Sequence, residues 1–238
     1  MDWLKVLLTG SIAFITAIIA RIGFLIFTPN QIRRARDPAS KCKVAVFLGS
    51  GGHTTEMLQL LSTLSVKRYS PRVYIVASGD QFSQSKAIEA EERKSEESTQ
   101  KSSGEESKND FHFVTLPRAR NVHQAWLSTP LTVLIAFIAC IKHIVLPSFS
   151  LSRKDQPSLP FADLILMNGP GTCVPIVASV WILRFFGLPS PKMIYIESFA
   201  RVRSLSLSAK ILRYFVDRFV VQWNDCNVRG SFYRGWLV

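Results

Sequence analysis

The segment GSGGH is the first feature of the chain that could carry chemistry. It follows a short apolar run, opens a helical stretch and comprises Gly49, Ser50, Gly51, Gly52 and His53, with Thr54 or Thr55 placed to cap the helix. Glycine permits backbone conformations closed to other residues, and a helix start offers unpaired N–H groups and a positive dipole end. The segment is therefore predicted to hold an anion such as a phosphate. A glycine turn that serves only strand-to-helix packing is the alternative.

His53 adds a proton acceptor to this turn. Imidazole is the side chain poised to gain or lose a proton near neutral pH, and parallel α/β sheets bind their ligands at the carboxyl ends of the strands. His53 is therefore a candidate general base or phosphate contact. A helix-start histidine that only hydrogen-bonds its neighbours is the alternative.

A second glycine-rich turn, NGPGTCVP, spans residues 168–175 and again leads into a helix. Its candidate anion-binding residues are Gly169, Gly171 and Thr172. If the strands before the two turns flank the point where the strand order reverses, the turns face each other across one crevice. Two such turns suit the two phosphates of a diphosphate, although the prolines here are also ordinary helix-start residues.

An acid and several arginines are expected at the same edge of the sheet. Glu197 ends another apolar run, and Arg201 and Arg203 follow it closely. Arg118 and Arg120 come just after the run FHFVTL. Guanidinium groups match phosphate geometry bidentately, so the convergence of these side chains predicts an anionic ligand. Any one of them alone would be an ordinary surface residue.

The elements that must position these residues alternate along the chain. Short β-branched runs alternate with helical stretches, which is typical of an α/β fold with a Rossmann-like, doubly wound parallel sheet and helices on both faces. About six strands fit, at 43–48, 72–77, 111–116, 163–168, 192–197 and 218–223. Helices are predicted near 54–64, 80–92, 124–146, 174–187 and 205–216. The acidic insert 93–110 has no large apolar side chain and is predicted to be disordered.

The N-terminal segment is a candidate membrane anchor. Residues 4–27 are apolar apart from Lys5 and Arg21, and they are long enough to cross a hydrocarbon core of about 30 Å. We divide the chain into an anchor (1–30), a basic juxtamembrane linker (31–42) and one domain (43–238). Because the basic residues follow the anchor, the positive-inside rule places the domain in the cytosol, on a single-pass anchor. A cleaved signal peptide is the alternative, but no clear cleavage site is present.

Residues 121–141 carry no formal charge and could form a second span. A single crossing there would put the strands before and after it on opposite sides of the bilayer, where they could not share a sheet. An apolar helix of the domain that lies partly on the membrane is therefore expected instead.

The composition of the chain limits the chemical classes of partner that it is expected to bind. The net charge of +12 suits an anionic surface such as lipid headgroups or phosphates. No RNP-type motif, zinc spacing or recognition-helix pattern accompanies the basic residues, so no nucleic acid is expected. The four cysteines lie far apart and form no CxxC pair, so neither a disulfide framework nor a metal site is indicated. No cofactor is expected.

Three segments carry a family resemblance: GSGGHTTEM, NGPGTCVP and YIESFARVRSLSLSAKIL. With the anchor and the run RFVVQW, they resemble the membrane subunit of the UDP-N-acetylglucosamine transferase of asparagine-linked glycosylation. More distantly, the chain resembles the N-terminal domain of bacterial MurG, a B-type glycosyltransferase. The resemblance implies addition of the second GlcNAc to dolichyl-diphosphate-GlcNAc at the cytosolic face of the endoplasmic reticulum membrane. It also implies a soluble catalytic subunit that binds the donor UDP-GlcNAc, without which this chain is not active.

The resemblance also implies roles for residues. The two glycine turns and Arg201 would hold the acceptor diphosphate, and the base would be His53 or, as second choice, Glu197. Glu197 matches the acid of the HEQN segment of MurG, but Ser198 and Phe199 stand where that family has Gln and Asn.

The aromatic end of the chain is expected to bind the soluble subunit, because such a tail is unusual if free and aromatic side chains are favoured anchors at protein interfaces. Its candidate partner-binding residues are Phe232, Tyr233, Trp236, Leu237 and Val238. Folding back on its own domain is the alternative.

Two other functions stay open at this stage. One is a non-catalytic membrane recruiter, whose soluble partner performs all the chemistry. The other is an NAD-dependent membrane reductase. Its GxGxxG fingerprint is incomplete, since Thr54 replaces the third glycine, although Asp80 could imitate the ribose-binding acid. The first turn is no P-loop, because no Gly-Lys-Ser/Thr follows it.

Overall fold

A computed structural model describes residues 2–27, 40–101, 110–121, 124–150 and 161–237. The strands are β1 (Val44–Leu48), β2 (Arg72–Ala77), β3 (Phe111–Leu116), β4 (Leu164–Asn168), β5 (Lys192–Ile196), β6 (Arg218–Val221) and β7 (Ser231–Tyr233). The helices are α1 (Asp2–Phe27), α2 (Gly52–Ser62), α3 (Gln81–Lys101), α4 (Thr129–Cys140), α5 (Leu146–Ser150), α6 (Cys173–Phe185) and α7 (Leu207–Leu212). Between α4 and α5 the helix continues through a π-helical segment, Ile141–Val145.

The seven strands form one parallel sheet in the order β3-β2-β1-β4-β5-β6-β7. The doubly wound α/β sheet predicted from the sequence is thereby confirmed. The strand order reverses between β1 and β4, which pair directly from Val44↔Leu164 to Phe47↔Met167. Ligands of such sheets bind outside the strand ends at this reversal, so the fold sets the turns after β1 and β4 side by side.

Helices cover both faces of the sheet. On one face, Met57 and Leu61 of α2 and Ala87 of α3 pack with Tyr74 of β2. On the other face, residues of the π-helical segment and of α6 and α7, such as Ile144, Ile176 and Leu212, belong to the larger core cluster. The central strands β1 and β2 are buried along their whole length, which accounts for their continuous apolar sequences.

The predicted domain helix near 124–146 connects β3 to β4 along the chain. It packs on the domain through one face. Ala136, Cys140 and Ile144 are buried, whereas Leu127 is 98% exposed and Leu134 is 52% exposed. By length and composition, the stretch Trp126–Ser148 could cross a membrane, as could Trp3–Leu25. Because its inner face belongs to the core and its flanking strands share one sheet, this helix is part of the domain and keeps an apolar outer face.

The sequence prediction missed two features. The aromatic end forms the short strand β7, which makes a seventh strand on the sheet edge next to β6. Helix α3 continues to Lys101, so the disorder predicted from residue 93 is wrong as far as residue 101, whereas 102–109 lie outside the described residues. Glu, Lys, Arg and Gln are good helix formers that need no burial. In addition, the Lys94 amine donates to the Leu61 carbonyl oxygen at 2.5 Å and ties this part of α3 to α2.

Helix α1 contacts the domain near its own C-terminal end. Arg21 Nε donates to the carbonyl oxygen of Phe185 at 3.2 Å, and Nη2 donates to that of Arg184 at 3.4 Å. These carbonyls lie at the end of α6, where the helix dipole favours a cation. The one arginine inside the apolar segment therefore joins α1 to the domain. Residues 31–39 of the predicted linker lie outside the described residues.

Candidate functional site

The two glycine-rich turns touch each other, and two glycines permit the contact. A Cβ atom at Gly49 would lie 2.5 Å from Pro170 Cδ. Gly169 has φ +91°, and a Cβ atom there would lie 2.5 Å from Nδ1 of His53. The turns therefore face each other as predicted, but these two glycines serve close packing of one turn against the other.

His53 begins a chain of polar contacts that joins three elements. Its Nδ1 lies 2.8 Å from Oδ1 of Asn168, the last residue of β4. Asn168 Nδ2 donates to Oε2 of Glu56 on α2 at 2.6 Å. The other carboxylate oxygen of Glu56 accepts the backbone N–H of Phe199, in the loop after β5, at 2.5 Å. His53 is thereby held by the Asn168 amide, and the amide is held by the Glu56 carboxylate.

This chain of contacts fixes the tautomer of His53. An ionised carboxylate only accepts hydrogen bonds, so the Asn168 amide must direct its NH₂ group to Glu56 and its oxygen to His53. In the neutral imidazole of His53, Nδ1 therefore carries the proton and Nε2 keeps its lone pair. Because the His53 side chain is 34% exposed, the imidazole is accessible to a ligand. The arrangement is that of an oriented general base.

The surroundings also shift the acid–base equilibrium of this pair. The Glu56 carboxylate, whose Oε2 lies 3.7 Å from His53 Nδ1, raises the pKa of His53; burial lowers it, and the bond to Asn168 raises it further. The net pKa of His53 lies above its ordinary 6.5. Burial opposes ionisation of Glu56, but the contacts with His53, Asn168 and the Phe199 N–H together lower its pKa. Glu56 is thus kept ionised beside a histidine whose pKa lies above its ordinary value.

Glu197, the second candidate base, is 1% exposed and has a different role. Its Oε1 accepts the N–H of Ser198 at 3.0 Å, and its Oε2 accepts the N–H of Ser206 at 2.9 Å and the Ser206 hydroxyl at 3.1 Å. Ser206 in turn caps the start of α7 by accepting the N–H of Ala209. Glu197 therefore shapes the loop after β5, and these internal bonds oppose its use as a base.

The two threonines of the predicted diphosphate site are engaged elsewhere. Thr54 is fully buried, with its hydroxyl 2.6 Å from that of Ser83 on α3, so the prediction that it binds the diphosphate is wrong. Thr172 is 4% exposed, and its hydroxyl accepts the N–H of Ala119 at 3.2 Å. Each hydroxyl joins a turn to a neighbouring element because a buried hydroxyl requires a partner.

A groove of about 690 Å³ opens beside His53. Among the residues that line it are Gly169, Gly171, Trp126, Glu197 and two of the predicted arginines, Arg120 and Arg201. The Arg120 guanidinium lies 4.1 Å from the centre of the Trp126 ring, a contact that holds the cation at the groove wall.

The remaining predicted arginines and turn residues differ in their positions relative to the groove. Arg201 is exposed, and no carboxylate pairs with it within the described ranges, so its charge is available to an anionic ligand. Arg203 is exposed but does not line the groove, and Arg118 lies 4.0 Å from Oδ2 of Asp80. Gly51 and Gly52 are exposed next to His53 in the turn, and Ser50 has φ 43°.

Asp80 does not present a free carboxylate to a ribose. Its Oδ1 accepts the N–H of Ser83 at 3.1 Å, and its Oδ2 accepts the Ser83 hydroxyl at 2.8 Å, so Asp80 caps α3. With Thr54 buried as well, the two residues that could complete a dinucleotide fingerprint both have structural roles. The geometry therefore disfavours the reductase.

The aromatic tail folds back on its own domain and still presents aromatic surface. Beyond β7, the Trp236 ring packs against the rings of Phe199 and Trp223, with centroids 5.8 and 5.3 Å away. The Leu237 N–H donates to Gln222 Oε1 at 3.2 Å. Trp236 nevertheless remains 66% exposed, and Phe232 and Tyr233 are 38% and 40% exposed. Val238 lies outside the described residues.

Sequence reasoning missed Glu56 and Asn168. His53 and Glu56 are three residues apart on one helix, a spacing that puts both side chains on the same face. Asn168 ends a strand next to the reversal point, where polar side chains meet ligands. Both signals were present in the sequence, but their convergence depends on the contact between the two turns.

Known proteins match nearly the whole chain. The family model described as "Oligosaccharide biosynthesis protein Alg14 like" matches residues 44–237. A protein of Cryptococcus neoformans named UDP-N-acetylglucosamine transferase subunit ALG14 is 44% identical over 216 residues, which are 90% of this chain and 87% of that protein. The human protein of the same name is 39% identical over 202 residues, covering 84% of this chain and 85% of its own length.

Among solved structures, the crystal structure of Acinetobacter baumannii MurG is similar with a TM-score of 0.47 and 11% sequence identity. The match covers 80% of this chain and 45% of that chain, so this chain spans less than half the length of that protein.

Proposed function

The chain belongs to the Alg14 family, and from this premise we propose that it is the membrane-anchored, acceptor-binding subunit of a heteromeric UDP-GlcNAc transferase. Its acceptor is GlcNAc-diphosphate-dolichol, to which the complex adds the second GlcNAc at the cytosolic face of the endoplasmic reticulum. The donor UDP-GlcNAc binds mainly to a soluble partner subunit, and this chain alone is inactive. The names of the matched relatives, which call each a subunit of such a transferase, support this assignment.

One observation carries the catalytic part of the proposal. An oriented histidine with a free Nε2 lines the same groove as the cations Arg120 and Arg201. A lipid-diphosphate sugar requires this combination, because its phosphates need cations and its attacking hydroxyl needs a base. The N-terminal ends of α2 and α6, which follow the two turns, add their dipoles to the positive field.

The mechanism is a direct displacement. The 4-hydroxyl oxygen of the acceptor GlcNAc attacks the anomeric carbon of the donor sugar, and the bond from that carbon to the UDP oxygen breaks. The hydroxyl proton passes to Nε2 of His53, and UDP leaves with the electron pair. The imidazolium that forms is stabilised by the Asn168 amide oxygen and by the negative charge of Glu56, 3.7 Å from Nδ1. The arginines orient the acceptor through its diphosphate.

The position of the protein follows from its apolar surfaces. Helix α1 is long and apolar enough to span the bilayer, and the basic residues after it favour a cytosolic domain. The exposed apolar side chains of α4, among them Leu131, Leu134 and Ile138, would add contact with the membrane surface. Both features suit an enzyme whose acceptor never leaves the bilayer.

A reconstituted transfer assay tests the proposal. We expect the purified chain in lipid vesicles to transfer GlcNAc from UDP-GlcNAc to GlcNAc-diphosphate-dolichol only when the soluble subunit is added. Transfer by the soluble subunit alone at the same rate would leave this chain as a membrane recruiter, and transfer by this chain alone would remove the need for a partner.

A further inference from the structure

A second groove, apolar throughout, lies beside the first. Its volume is about 400 Å³, and α6 and α7 provide most of its walls, including Trp181, Phe185 and Phe215. The one polar atom among these side chains, Trp181 Nε1, donates to the Phe215 carbonyl oxygen at 2.7 Å. An occupant of this groove would therefore contact apolar side chains, because the polar group of Trp181 is already hydrogen-bonded.

The apolar groove adjoins the groove that contains His53. Val174, in the first turn of α6, lines both, and so does Ile211 of α7. A molecule with a charged head and an apolar chain could therefore lie across the two, with its head near Arg201 and its chain along α6.

The membrane anchor forms part of the apolar wall. Ile22 of α1 lines the groove next to Arg21, whose guanidinium bonds to the carbonyls at the end of α6. These bonds hold the cytosolic end of the anchor against α6. The groove thus begins where α1 meets the domain and runs to the polar site.

We propose that this groove binds the isoprene units nearest the diphosphate of the lipid acceptor. The inference rests on the proposed function and adds a binding site for the lipid. A diphosphate bound at Arg201 brings the first isoprene units to the domain, because they are directly attached to it. Without apolar walls those units would be exposed to water, so the groove lowers the free-energy cost of binding the acceptor beside His53.

The matched alanines Ala178 and Ala90 allow a controlled test. Both are half-buried, Ala178 in this groove and Ala90 in a groove of about 420 Å³ between α2 and α3, on the opposite face of the sheet. We expect Ala178→Phe to raise the KM of the reconstituted complex about tenfold for an acceptor with a full-length isoprenoid chain, since lost apolar contact weakens binding. The KM for GlcNAc-diphosphate that carries only a methyl group in place of the isoprenoid chain should not change. Ala90→Phe should change neither value.

Equal effects of Ala178→Phe on both acceptors, or no effect on either, would overturn the inference. A second measurement does not depend on a variant that folds. A polyisoprenyl diphosphate with a photoreactive first isoprene unit is irradiated with the wild-type complex, and the labelled peptides are identified by mass spectrometry.

Label on α6 and α7, competed by unlabelled polyisoprenyl diphosphate but not by phospholipid, is the expected result. Competition by phospholipid would make the groove a general acyl-chain site, and label confined to α1 and α4 would remove the groove from acceptor binding. If the wild-type complex transferred to neither acceptor, the proposed function would fail, and the labelling would still decide the groove.

Discussion

The amide oxygen of Asn168 lies 2.8 Å from Nδ1 of His53, across the boundary between the two halves of the sheet. Because the NH₂ group of Asn168 is bound to Glu56, the amide cannot turn round without losing a charge-assisted bond. Asn168 is therefore a positioning residue, which determines the nitrogen of His53 that faces the groove.

The pH dependence of transfer should report the His53 pKa. His53 must be neutral to accept a proton, and its pKa is raised, first by Glu56, so kcat/KM should fall as the pH drops through a value above 6.5. In Glu56→Gln the main cause of the rise is lost while burial still favours the neutral ring, so the acid limb should move to lower pH. If the acid limb lies at the same pH in the pH–rate profiles of the two complexes, Glu56 does not raise the pKa of the catalytic base.

Gly169 should tolerate no side chain. In Gly169→Ala the added Cβ would meet the His53 ring at 2.5 Å, at a φ of +91° that strains alanine. Because displacement of a catalytic group by about 1 Å can cost roughly 100-fold, we expect kcat to fall at least about tenfold. Gly171→Ala is the matched control, since a Cβ there meets nothing within 4 Å. Equal kcat values for the two variants would contradict the contact between the turns.

Arg201 should contribute to binding of the acceptor and not of the donor. Loss of a charge-assisted phosphate contact costs about 1.5 to 3 kcal/mol, so Arg201→Ala should raise the acceptor KM by about tenfold or more. Arg203→Ala, two residues away and outside the groove lining, should have little effect. Steady-state kinetics with each substrate varied decide the point, and a change confined to the KM for UDP-GlcNAc would put Arg201 on the donor side.

The tail should contribute to assembly. Removal of Gly235 to Val238 takes away the exposed Trp236 ring and leaves β7 in place. We expect less soluble subunit to co-purify with the shortened chain, while its membrane attachment and cooperative unfolding persist. Full recovery of the complex would exclude docking through the tail. Loss of the folded domain would show that Trp236 serves only its contacts with Phe199 and Trp223.

The sequence predicted most of the sheet because its strands are short runs rich in β-branched and aromatic residues. The runs at 72–77 and 111–116 coincide with β2 and β3 to the residue, although only β2 is buried along its whole length. The strand β7 was missed because its three residues, SFY, are too few to show a pattern. The end of α3 was misplaced because the absence of apolar side chains argues against packing but not against helix.

The candidate site was only partly predictable for a related reason. His53, Arg120 and Arg201 follow motifs and strand ends, which are local signals. The roles of Thr54 and Glu197 are decided by the partners that the fold brings to them, Ser83 for the former and the N–H groups of Ser198 and Ser206 for the latter. Those partners lie on other elements or in an irregular loop, where sequence spacing carries little information.

The central claim is that His53 is the base, and the turnover of a His53→Gln complex tests it most directly. Glutamine retains a polar side chain next to Asn168 but cannot take up the proton. Since general base catalysis contributes about 10²- to 10⁴-fold, we expect kcat at saturating substrates to fall by that amount while the subunits still co-purify and stay on the membrane. A kcat within a few-fold of wild type, in an intact complex, would contradict the account and favour the alternative that the chain is a non-catalytic membrane recruiter.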